Sequence, residues 1–235
     1  VEAISDYAFT NWNSIKKITY SPSKLTIIGS YAFRGCTGLD TVNIAANRLE
    51  KIDIYAFSGC TSLTEVEISG KRLTLIGDYV FENCTLLKNV NLINSLRLET
   101  IGACAFNNCK SLTNINLPAS LTQMGSRIFN NCTALESIDI PAKANTYETR
   151  IYGDYVTGEW IKGCTALKNV TIADGATNIP NKAFANCTSF TSITIPDTVT
   201  TIGDSAFSGC TQLTKIPAMN SVTYIGNYAF SGCSS

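Results

Sequence analysis

The sequence predicts an α/β solenoid, a right-handed superhelix with a parallel sheet along one face and one short helical turn per coil. Three observations lead there. Nine of the ten cysteines (Cys36, Cys60, Cys84, Cys109, Cys132, Cys164, Cys187, Cys210 and Cys233) recur at intervals of 24, 24, 25, 23, 32, 23, 23 and 23. An apolar residue opens each unit, at Ile4, Ile28, Ile52, Ile76, Ile101, Met124, Val156, Ile179, Ile202 and Ile225. Phenylalanine follows five residues later, from Phe9 and Phe33 to Phe207 and Phe230, with Ile161 as the one substitute. A fixed period of this length marks stacked units, each burying its apolar face on the next. Residues 1–235 are therefore expected to form a single domain of 23–25-residue units, with an insertion at about 142–155.

Each unit reads as three pieces in order. The first is a short strand, such as Leu39-x-x-Val42-x-Ile44 or Leu135-x-x-Ile138-x-Ile140, whose alternation puts apolar residues on one face and Thr and Asn on the other. A second extended piece, such as Leu49-x-x-Ile52 or Val199-x-x-Ile202, returns toward the core. The third carries the Ala-Phe pair and is expected to be one turn of helix. An N-cap type of residue stands two after the opening isoleucine at Asp6, Ser30, Asp78, Ser126, Asn181, Asp204 and Asn227. The residue before the cysteine is always Gly or Asn, the two types that tolerate the left-handed conformation closing a helix. In the first unit Trp12 replaces the cysteine and is expected to plug that rung.

This pattern resembles the Treponema-type, or BspA-like, leucine-rich repeat. Its hallmark is a 23-residue unit with A-F-x-x-C and L-x-x-I-x-I-P, and units 179–201 and 202–224 have that length. The chain departs from it in the 24-residue units near its start, in one 32-residue unit, and in Ser21, Ala45, Ser69 and Ile93 where the pattern has proline. The resemblance implies a bacterial or protist surface or secreted protein, adhesin-like, that recognises a protein partner on a host or another cell.

Composition excludes several chemistries. With 18 basic and 18 acidic residues, binding driven by a nucleic-acid backbone is not expected. Without histidine there is neither the commonest general base nor the commonest metal ligand. No nucleophile–base pair or phosphate loop is found, so no catalytic residue, metal or cofactor is expected. Carboxylate pairs such as Glu65 with Glu67, or Glu136 with Asp139, fall at solvent-facing strand positions. No apolar run is long enough to span a membrane, and any export signal is expected outside residues 1–235. Zinc sites want closely spaced thiol pairs, and none occur. Stacked in parallel about 5 Å apart, the cysteines are poorly aimed for disulfides and are expected as free, buried, small apolar side chains. Cys104, outside the series at a position held by tyrosine in other units, is expected to be an incidental free thiol. The Asn-x-Thr triplets starting at Asn83, Asn131, Asn169 and Asn186 match a glycosylation pattern, but the repeat itself generates most of them.

The 32-residue unit carries the candidate site. Its excess lies within Ala142–Tyr155; with its continuation the segment reads AKANTYETRIYGDYVTGEW and contains Tyr147, Arg150, Tyr152, Tyr155 and then Trp160. Insertions in solenoids become loops on one face, and Tyr, Trp and Arg dominate interface hot spots. These five are the candidate ligand-binding residues, with a protein partner expected and a glycan stacked on the aromatic faces as the alternative. A structural stalk is a third reading. The competing surface is the open strand face, with Glu65, Glu67, Lys88, Asn91, Asn114 and Asn116 as a polar strip. Because Val1 opens on a return strand and Cys233-Ser-Ser stops before the next main strand, flanking repeats or end-on packing are expected.

Overall fold

In the computed structural model the described residues are 1–20, 24–146, 149–151, 154–156, 158–216 and 218–235, and from 145 to 157 the description is of the backbone alone. The chain winds into a parallel-strand β-solenoid. The main strands Lys17–Tyr20, Thr41–Ala45, Glu65–Ser69, Asn89–Asn91 and Asn114–Asn116 form one parallel sheet in chain order. Ser137–Ile140 pairs with Asn169–Ile172 over four residues, so the 32-residue unit does not shift the register of the coils on either side. Isolated bridges at Thr171–Thr194 and Ser192–Lys215 extend the same face. The return strands are two residues each: seven from Ala3–Ile4 to Asn145–Thr146 form one sheet, and three from Asn178–Ile179 to Tyr224–Ile225 form another.

In-register stacking turns each sequence column into a physical column. Val42, Val66 and Val90 follow one another along one column, and Ile28, Ile52 and Ile76 along another. The phenylalanines stack at centroid distances of 5.0–5.5 Å from Phe9 through Phe129, and again from Phe184 through Phe207 to Phe230. Each fully buried ring contributes about 2–3 kcal/mol by area, and offset stacking adds to that. One buried apolar cluster runs from Ile4 to Ala229.

The expected helical turn does not form; no helix occurs among the described residues. The reason lies in where the backbone N–H groups go. Around the first turn Ala8, Thr10 and Trp12 donate three residues back, to Ser5, Tyr7 and Phe9. The intervening Tyr7, Phe9 and Asn11 donate instead to Ser30, Ala32 and Arg34 of the next coil at 2.7–2.9 Å. A helix needs every N–H for its own carbonyls four residues back. Here half of them extend the inter-coil ladder, and the segment becomes a run of tight turns.

Left-handed residues punctuate those turns. The Gly or Asn before the cysteine has positive φ in all ten coils, from 59° to 77°, as its composition indicates. A second left-handed position, three after the opening apolar residue, holds Tyr7, Tyr31, Tyr55, Tyr79, Cys104, Arg127, Glu159, Lys182, Ser205 and Tyr228 at 53–59°. Such residues cost about 1–2 kcal/mol each in this region; the inter-coil hydrogen bonds hold them there. The supposed N-caps are also redirected. Asp6 Oδ1 accepts from Ser30 N at 2.7 Å, and Asp78, Asn181 and Asp204 act alike, so they cap the adjoining coil rather than their own turn. Trp12 stacks on Phe9 but is 48% exposed, and so does not plug its rung.

Candidate functional site

The ten cysteines are free, as expected, and the ladder has a role beyond filling space. Each of the nine donates its S–H, at 3.1–3.3 Å, to the carbonyl of the Phe-column residue in the preceding coil: Cys60 to Phe33, Cys132 to Phe106, and Cys187 to Ile161. That same carbonyl accepts the backbone N–H of its own turn's cysteine, as Phe33 does from Cys36. Burial pushes the Cys84 and Cys210 thiols up to about 12 and the others upward, which suppresses the thiolate. Cys104 is 1% exposed, packed with Tyr79 and Ala103, and burial pushes it up to about 12 as well. Thiol reagents, followed by mass spectrometry, are therefore expected to label all but the half-buried Cys233 only after denaturation. Rapid native labelling of the buried ladder would contradict the assignment. Cys132→Ser retains a donor for the Phe106 carbonyl, so the expected loss is about 1 kcal/mol in urea unfolding.

The 32-residue unit is built differently from the sequence alignment. That alignment sets Val156 in the opening apolar column, whereas strand register sets Thr146 beside Met124. The additional residues therefore leave the solenoid between the return strand and the turn. There Thr149–Ile151 and Asp154–Val156 form an antiparallel hairpin in which Arg150 is paired with Tyr155. Tyr147 and Tyr152 lie outside the described residues, and the hairpin's side chains are not described.

Trp160 stands apart from the other four candidates. It is 3% exposed and sits in the solenoid core. With Ile140, Ala144, Ile172, Ala176 and Phe184 it borders a cavity of about 10 Å³, room for one water and not for a sugar ring. Its Nε1 has no hydrogen-bond partner among the described residues.

The hairpin emerges beside the second left-handed column. Tyr7, Tyr31, Tyr55 and Tyr79 stack there at 4.6–4.9 Å with interplanar angles of 3–11°. Exposure falls along this ladder, from Tyr7 at 60% through half-buried Tyr31 and Tyr55 to Tyr79, which is buried. Farther along, Arg127 and Glu159 form a close ion pair, and Lys162 and Lys182 approach the same carboxylate at 3.4 and 3.5 Å. Glu159 is 2% exposed. Burial works to raise its carboxyl, but the Arg127 hydrogen bond and the charges of Arg127, Lys162 and Lys182 outweigh burial and hold it below the usual carboxylate range. The sequence shows this column, five of whose ten positions are tyrosine, but not its left-handed backbone or the ion cluster at Glu159.

The open strand face is polar, as expected: Glu65, Glu67, Lys88, Asn91, Asn114 and Asn116 are all exposed. Asn43 Nδ2 donates to Glu67 Oε2 at 3.2 Å, within a shallow depression of about 120 Å³ bordered by Lys17, Thr41 and Glu65. Among the described residues no group of His, Cys, Asp or Glu is arranged to hold a metal ion. No helix among them is long and apolar enough to cross a membrane.

Six copies of the BspA-type leucine-rich repeat region match residues 2–99, 95–156 and 159–235. The chain belongs to this family. No curated protein matches it. Among solved structures, it is similar to a leucine-rich cell surface protein from Faecalibacterium prausnitzii, at 26% identity and a TM-score of 0.64, covering 99% of this chain and 69% of that one. The T. pallidum leucine-rich repeat protein shares the fold at 20% identity and a TM-score of 0.64, over 96% and 90% of the two chains. The pneumococcal vaccine antigen PcpA does so at 19% identity and a TM-score of 0.51, over 99% and 72%. The BspA-type repeat thus accounts for the cysteine and phenylalanine columns along the solenoid.

Proposed function

We propose that the protein is a non-enzymatic, adhesin-like binding module of the cell surface that recognises a protein partner through the hairpin at 149–156. The observation that carries this is the hairpin itself, an antiparallel element leaving a solenoid whose coils otherwise pair in parallel. Its segment supplies Tyr147, Arg150, Tyr152 and Tyr155, residue types that anchor interfaces. Trp160 is buried in the solenoid core, so it belongs to the scaffold rather than to the surface that meets the partner. A rigid solenoid presenting one irregular element is also the arrangement in which loops carry recognition. The cell-surface assignment is supported by the description of the F. prausnitzii relative.

Joining Thr146 directly to Thr157 leaves the same interval to Cys164 as separates Met124 from Cys132. The trimmed solenoid is expected to remain folded, because the strands on either side already pair with each other. Binding should be compared between parent and trimmed protein on panels of host extracellular proteins, bacterial surface proteins and glycans. Loss of a protein ligand on trimming is expected, with Tyr147→Ala or Tyr152→Ala each costing about 1–2 kcal/mol. Undiminished protein binding by the trimmed form moves the site to the strand face, and binding confined to the glycan panel replaces the protein partner by a sugar.

A further inference from the structure

A cationic column runs along the opening of the return segments. Lys24, Arg48, Arg72 and Arg97 each stand three residues before a residue in the paired series Ile27, Lys51, Leu75 and Thr100. The next residue in each coil, Leu25, Leu49, Leu73 or Leu98, is fully buried, and the four cations are exposed. The column is therefore four charges on four successive coils, about 14 Å long at the usual strand spacing. The four stand just before the return strands rather than on them, and like charges brought to one line on successive coils repel one another. Elsewhere this solenoid stacks Tyr on Tyr and Phe on Phe, where stacking is favourable; here the register sets one cation per coil along a line.

The surroundings say what would relieve the repulsion. Lys71 adds a fifth exposed cation, and the adjacent column holds Glu2, Glu50 and Glu99 alternating with Thr26 and Thr74. Among the described residues Arg72 alone of the five reaches a carboxylate, Glu50 at 3.8 Å, with both side chains more than half exposed. A shallow groove of about 360 Å³ lies here, bordered by Glu50, Arg72, Thr74 and Arg97. In it, the Arg72 and Arg97 guanidinium forks, a group that binds planar or tetrahedral anions, stand beside the Glu50 carboxylate, which accepts from hydroxyls. No aromatic ring borders it for base stacking.

We infer that this column binds an acidic polysaccharide, its carboxylate or sulfate groups running along the solenoid axis over Lys24, Arg48, Arg72 and Arg97 and its hydroxyls meeting Glu50. This surface is separate from the hairpin, and the two readings fail independently.

The test is titration calorimetry with heparin, which carries sulfate and carboxylate, and with polygalacturonate, which carries carboxylate alone. A single-stranded oligodeoxynucleotide of matched charge serves as the comparison. Binding of at least one polysaccharide is expected, weakening as salt rises. The triple variant Arg48→Gln, Arg72→Gln, Arg97→Gln should weaken it by about tenfold or more. Arg-to-Lys replacement at the same three positions should fall between, because charge remains and the fork is lost. Lys17→Gln with Lys88→Gln on the strand face, and the hairpin-trimmed protein, should bind as the parent does. Heparin alone assigns sulfate as the recognised group; both polymers assign carboxylate. The proposal is overturned if neither polysaccharide binds, if the glutamine variant binds unchanged, or if the oligonucleotide binds as well. The replaced side chains are exposed, so an unchanged thermal midpoint confirms that the variants are folded.

Discussion

Phe106→Ala is expected to lower the unfolding free energy by about 3–5 kcal/mol. Phe106 is fully buried, stacked 5.4 Å from both Phe81 and Phe129. Its removal would strip a face from each neighbour and leave a void that rigidly paired coils cannot close. The Phe106 carbonyl also receives the Cys132 thiol, so any backbone relaxation into the void would loosen that bond. Urea unfolding followed by circular dichroism reads the effect as a lower midpoint. The transition should stay cooperative, because adjacent coils share one core. An unchanged midpoint would mean that the stacked rings are not what holds the coils together.

Glu159→Gln should cost about 2–3 kcal/mol at neutral pH. The amide cannot balance Arg127, Lys162 and Lys182, and its NH2 group would present donors to donors. A cost at the upper end for a fully buried pair is not expected, since the three cations reach solvent. The pH dependence has a definite sign. A carboxyl held low in the folded state stabilises the protein above its unfolded value, near 4.5, and that contribution is lost as pH falls through the folded value. The stability gap between wild type and Glu159→Gln should therefore be full at pH 7 and shrink under acid. A gap that stayed constant to low pH would show that charge at Glu159 is not the source.

Much of this architecture was legible because a solenoid makes sequence period and spatial neighbourhood the same thing. Once Cys36, Cys60 and Cys84 recur at one interval, their side chains must stack, and so must Phe33, Phe57 and Phe81. The Gly or Asn at the turn exit of every coil, from Asn11 to Gly232, likewise announced its left-handed backbone by residue type alone. The hairpin was legible only as excess length with an unusual composition.

What the sequence by itself determined is the set of columns and their order, since burial pattern and turn chemistry are local properties repeated until they are unambiguous. Tertiary structure decided whatever depends on a partner in another coil. Asp6 and the Ala-Phe pair have the local appearance of a capped helix, but the N–H groups of Tyr7, Phe9 and Asn11 find carbonyls in the next coil, and the helix is lost to that ladder. Trp160 reads like a surface anchor until the coils around it close over its ring. Glu159 meets Arg127 across 32 residues, and Lys24 joins Arg48, Arg72 and Arg97 in one line, only because the main and return strands keep register from coil to coil. A charge has no preferred neighbour until the backbone hydrogen bonds have chosen which residues stand side by side.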